Sequence, residues 1–128
     1  MKMTTQHTAE YIAGLDLCAV MARVVKEHGF SAERARKAEE MYRQFLILAA
    51  NNPTDIMVPN EDVDAVWHAH ILNTEQYFED CQAIFGTYLH HNPSYYGTDA
   101  FFKSCELTQA LFQKTFGKSE IFVESQFL

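Results

Sequence analysis

Apolar residues in this chain recur at intervals of three and four rather than two, and only five glycines and three prolines interrupt its 128 residues. That spacing gathers apolar side chains on one face of an α-helix, whereas a half-buried strand needs alternation. The chain is therefore read as all-α: one domain over residues 1–128, a compact bundle of about five helices with a His/Tyr-rich loop and an extended C-terminal tail. Thr5 to His28 carries Tyr11, Ile12, Leu15, Cys18, Ala19, Ala22 and Val25 along one stripe and stops at Gly29, which suits the left-handed position after a helix. Ser31 is the N-cap of a second helix through Ala50, and its basic residues Arg34, Arg36 and Lys37 read as a solvated face. Residues 53 to 60 form a connector, after which Asn60 caps a helix opening on Glu61 and Asp62, two acids placed against its N-terminal dipole.

Beyond His70 two readings are open. A continuous helix to Phe85 puts Val63, Val66, Trp67, His70, Thr74, Tyr77, Cys81 and Phe85 on one stripe, with His68 nearly opposite. Alternatively, Asn73 before Thr74-Glu75-Gln76 reads as a fresh N-cap, so the helix breaks near residues 71 to 73 and both imidazoles can turn inward. Gly86 ends this segment, Thr87 to Gly97 is a loop, and Thr98 opens a last helix to about Phe116. Ile121 to Leu128 is apolar enough to pack, extended, on the body or a partner.

The formal net charge of −7 argues against general affinity for nucleic acid or anionic membrane, both of which select basic surfaces. No run of 18 apolar residues occurs, and Met1 to Glu10 is too polar for a secretory signal, so the expected location is the cytoplasm. Cys18, Cys81 and Cys105 are odd in number and lack CxxC spacing, which disfavours both a zinc ribbon and a disulfide framework.

Four of the six histidines fall between residues 68 and 91, in Asp64-Ala65-Val66-Trp67-His68-Ala69-His70 and His90-His91-Asn92-Pro93. Neutral imidazole is the commonest protein ligand for transition metals, and paired histidines with a carboxylate match the donor set of Zn(II), Fe(II) or Mn(II). The candidate ligands are His68, His70, His90, His91 and Asp64, which lies one helical turn before His68; adjacent His90 and His91 point in different directions, so at most one of them ligates. Trp67, Tyr77, Cys81 and Tyr88 are candidates for supporting or lining the site, although core packing explains Trp67 and a buried free thiol explains Cys81. His7 and His28 read as incidental.

The pattern Asp-x-x-Trp-His-x-His-x-Leu from Asp64, then Asn73-Thr74, Tyr77, Asp80-Cys81, Phe85-Gly86 and His90-His91-x-Pro, resembles the glycine-rich domain-containing protein-like family. That is a domain of unknown function shared by plant glycine-rich proteins and small stand-alone bacterial proteins. The resemblance is best over residues 40 to 97, with Met41 to Leu46 and Val58-Pro59 in support. Relatives often carry proline at the position of Thr74, which favours the helix break. No glycine-rich or RNA-recognition extension accompanies the motif here, so the RNA-related roles suggested for plant members do not transfer.

Two functional classes lead, with RNA binding by analogy with the plant proteins a distant third that the acidic balance disfavours. One is a small helical metalloprotein, hydrolytic with zinc or oxygen-dependent with iron, in which Asp62, Asp64 or Glu75 serves as base toward an unidentified small molecule. The other is a protein–protein interaction module in which Trp-His-x-His is a structural polar network. HExxH, an HD dyad, a phosphate-binding glycine loop and a Gly-x-Ser-x-Gly elbow are all missing, which removes the familiar zinc peptidases, phosphohydrolases, nucleotide enzymes and serine hydrolases.

Overall fold

In the computed structural model, which describes residues 5–117, six α-helices and no strand are found among the described residues. They are α1 (Thr5–Ala13), α2 (Cys18–His28), α3 (Ala32–Asn51), α4 (Glu61–Leu72), α5 (Thr74–Phe85) and α6 (Asp99–Phe116). A single 3₁₀ turn, Pro93–Tyr95, lies in the histidine loop. The tail Ile121 to Leu128 lies outside the described residues.

The first expected helix is two helices. Leu15 and Leu17 are both buried, at 8% and 2% exposure, and residues two apart cannot share a helix face. The chain therefore leaves the helix at Gly14, and Asp16 Oδ1 accepts the Cys18 amide to start α2. Arg43 of α3 holds this corner: its guanidinium donates to the carbonyls of Ile12 (2.6 Å) and Leu15 (3.0 Å) and pairs with Glu39 at 2.7 Å. Arg43→Ala is expected to cost about 2 kcal/mol, the scale of hydrogen bonds from a charged group. Urea unfolding reads the loss, and faster amide exchange confined to residues 14–18 identifies its origin.

Elsewhere the boundaries fall as expected. Ser31 accepts the Arg34 amide, Asn60 Oδ1 accepts the Val63 amide at 2.8 Å, and Thr98 accepts the Phe101 amide. Gly29 and Gly86 take positive φ after α2 and α5, the conformation that favours glycine. Arg34 is not a free surface cation: it forks onto both carboxylate oxygens of Asp62 at 2.7 and 3.1 Å and lies 4.0 Å over the Phe30 ring, tying α3 to α4.

Helix α4 is central, packing against α2, α3 and α5, while α1 covers α3 and α5 and α6 covers α3. The connector before α4 is fixed from below, since the Val58 amide donates to Thr108 Oγ1 of α6 at 2.9 Å. These contacts present the exposed flank of α4 to the loop between α5 and α6.

Candidate metal centre

Helix α4 does end at Leu72 and α5 restarts at Thr74, but the break does not turn both imidazoles inward. His68 and His70 still differ by two positions on one helix, so they point apart. The His70 side chain is 1% exposed and that of His68 is 56% exposed, and the two do not share a site.

His70 enters a closed polar network. Its Nδ1 is 2.6 Å from the Tyr42 hydroxyl, its Nε2 is 2.8 Å from Asp80 Oδ2, and Tyr11 donates to Asp80 Oδ1 at 3.1 Å. Neutral imidazole satisfies every group: Tyr42 O–H donates to Nδ1, and Nε2–H donates to the carboxylate. Burial lowers the His70 pKa below its ordinary value and outweighs the opposing bond and charge of Asp80. Burial likewise drives the Tyr42 phenol well above its ordinary range, which keeps it a donor. Both ring nitrogens are thus engaged within the network.

The residues that do converge are Asp64, His68 and His91, whose ligating atoms all lie within 4.8 Å of one another. Asp64 Oδ1 is 2.6 Å from His91 Nε2, and Asp64 Oδ2 is 3.8 Å from His68 Nδ1. The two imidazoles lie side by side, with centroids 4.6 Å apart. Two different elements build this cluster. Asp64 and His68 are one turn apart on α4, and His91 arrives from the loop beyond α5, its ring 4.2 Å from that of Trp67. His91 is thus the anchored member, with its side chain 8% exposed, while His68 stands at the surface. Tyr96 completes the rim; desolvation and then the Asp64 carboxylate push its phenol above the ordinary range, so it remains protonated beside the acid.

His90 does not join the cluster. It is exposed, and its ring packs at 4.8 Å on Tyr88, which in turn packs edge-on to Tyr77 at 5.2 Å. Tyr77 supports the centre indirectly: its hydroxyl accepts the Trp67 indole N–H at 2.9 Å and donates to the Leu89 carbonyl at 2.5 Å, fixing both Trp67 and the strand of loop that delivers His91. Cys81 is a buried free thiol raised by burial, Cys105 is also buried, and Cys18 is exposed. Asp62, a candidate base, is instead engaged by Arg34, and Glu75 is exposed in the first turn of α5. Tyr77→Phe is expected to destabilise the chain by about 1–2 kcal/mol by orphaning a buried indole N–H and a carbonyl. A red shift in the emission of Trp67, the one tryptophan, checks that the loss is local.

Two cavities flank Trp67. One of about 280 Å³ is bounded by Met57, Trp67, His91, Tyr96 and Phe101, and another of about 250 Å³ by Phe45, Ala49, Phe85 and Leu89. Ile56, Met57, Trp67 and His90 line both.

Sequence reasoning missed Asp80, Tyr42 and Tyr11 as partners of His70, and Tyr96 as a neighbour of Asp64. Asp80 was within reach, since it stands ten residues after His70 across a predicted break and is an acid on the apolar side of α5. No signal tied Tyr42 or Tyr11 to it. Among the described residues no helix is long and apolar enough to cross a membrane. Neither a curated protein nor a solved structure matches the chain. The family model described as UCP032817-like matches residues 8–114, from α1 through nearly all of α6 and well beyond the histidine motif, and the chain belongs to that family.

Proposed function

We propose that this chain is a divalent-metal-binding helical protein, with Asp64, His68 and His91 as the ligands. The observation that carries the reading is the meeting of two imidazoles and one carboxylate, from separate elements, within 4.8 Å. The donor set fits a transition metal. Ligands about 2.1 Å from a tetrahedral zinc lie about 3.4 Å apart, and one ligating atom from each of the three residues lies within 4.8 Å of the others, so small side-chain rotations would bring them onto one ion. The ion would replace the proton that His91 shares with Asp64. Trp67 and Tyr96 serve as supports, one packed at a tilt against His91 and the other beside Asp64.

Three protein ligands leave coordination positions open, the condition common to hydrolytic zinc sites and oxygen-dependent iron sites, where the metal activates water or oxygen. We assign His70 and its partners a structural role, which keeps the polar-network reading for half of the Trp-His-x-His motif. The same motif, Trp67 to Leu72 with Tyr77, Asp80-Cys81 and His90-His91, supports kinship with glycine-rich domain-containing proteins and a single domain built around α4. Elemental analysis and zinc calorimetry on protein without a histidine tag test the reading. One ion per chain, carried or taken up, is expected. A chain that ignores Zn(II), Fe(II) and Mn(II) overturns it.

A further inference from the structure

We infer that the metal centre serves a small apolar or aromatic ligand bearing one anionic, metal-chelating headgroup, such as a carboxylate or hydroxamate, whose body lies in the cavity beside Trp67. This rests on the metal reading above and adds the class of ligand. His91 belongs to both features: it is one of the three converging ligands and a wall of the 280 Å³ cavity. A group on the ion at His91 therefore has the cavity as its immediate neighbour.

Size and lining select the body. An apolar cavity of about 150 Å³ holds one benzene ring, so 280 Å³ takes a body of about two fused rings. The wall is mostly apolar or aromatic, with Asn92, Tyr95 and the two loop histidines as its other polar members, and no lysine, arginine, aspartate or glutamate lines it. Sugars and nucleotides carry more polar groups than so apolar a wall can pair, and a phosphate would find no lysine or arginine. Charge selects the headgroup. A divalent ion with one carboxylate and two neutral imidazoles carries a net charge of about +1, which one monoanionic chelator neutralises. The exposed side of Ile56, 54% accessible, lies where this cavity meets the second one, so a substitution there alters the trough without disturbing the core.

The test is calorimetry on the full chain in three steps: zinc alone, then acetohydroxamic acid and 2-naphthohydroxamic acid on the zinc-loaded and the zinc-free protein. The naphthyl compound is expected to bind the zinc-loaded chain at least about tenfold more tightly than the acetyl one, from burial of its rings. Ile56→Glu and Tyr96→Ala should each remove most of that advantage, with Ile56→Glu leaving zinc affinity unchanged. Equal affinities for the two hydroxamates on a chain that does bind zinc overturn the ligand class alone. So does a naphthyl advantage that persists in both variants or in zinc-free protein. Failure of the first step, zinc uptake, overturns the metal reading and this inference with it.

Discussion

Replacing His70 by alanine is expected to lower stability by about 3 kcal/mol or more, the cost of orphaning buried hydrogen-bonding groups and opening a void beside them. Tyr42 loses the acceptor for its hydroxyl, and Asp80 Oδ2 loses its donor while its carboxylate stays buried. Against a total stability of about 5–15 kcal/mol, such a loss shows plainly in urea unfolding. His68→Ala, two residues away in the same motif, is expected to change stability by less than about 0.5 kcal/mol in metal-free protein, because that imidazole is largely solvated. The His70 imidazole also gives stability a dependence on pH. Burial holds the folded His70 below its ordinary value of 6.5, so above pH 6.5 the imidazole is neutral in both folded and unfolded chains and its contribution is fully present. Below 6.5 the unfolded chain binds a proton that the folded chain refuses, and stability falls until the pH passes the folded pKa. His70→Ala should abolish that part of the slope and His68→Ala should keep it. Equal losses in the two variants, or an unchanged slope in His70→Ala, would remove the structural role assigned to His70.

Element type and most boundaries were legible because they depend on local chemistry. Ser31, Asn60 and Thr98 cap the helices they precede, and Gly86 closes α5, each through contacts within three or four residues. The corner at Gly14 was not legible. The stripe from Tyr11 to Val25 suits one helix, but Tyr11, Cys18, Ala19, Ala22 and Val25 are exposed; α2 instead buries Val20, Met21 and Val24 behind Leu17, and Arg43 from another helix ties the corner that makes this offset. The same division runs through the histidines. Spacing alone puts Asp64 beside His68, and adjacency alone separates His90 from His91. Which loop histidine meets Asp64, 27 residues away, and that Tyr42, 28 residues from His70, joins Asp80 in claiming it, are decided by tertiary packing. Sequence leaves open whether the helix breaks near Asn73; the break occurs, but a break after His70 cannot reorient two residues that precede it.

Asp64→Asn and His91→Ala are each expected to weaken zinc binding by more than a hundredfold. Loss of an outer-shell partner already costs 10–100-fold at such centres, and these residues supply ligating atoms themselves in the proposed site. His91 should be the more sensitive, because Trp67 and the burial of its ring hold it in place, whereas His68 must be ordered from solvent when the ion arrives. His68→Ala is therefore expected to reduce affinity by a smaller factor, about tenfold. His90→Ala should leave affinity unchanged, since its ring rests on Tyr88 outside the cluster. Zinc at a hundred times its dissociation constant stabilises the folded chain by about 2.7 kcal/mol, so a rise in Tm with added zinc gives a second readout, one that Asp64→Asn should erase. Calorimetry and thermal unfolding on the same four variants then separate the possible centres. Affinity that survives Asp64→Asn and His91→Ala but is lost in His90→Ala would move the ion out of the Asp64 cluster to the rim of the cavities beside Trp67.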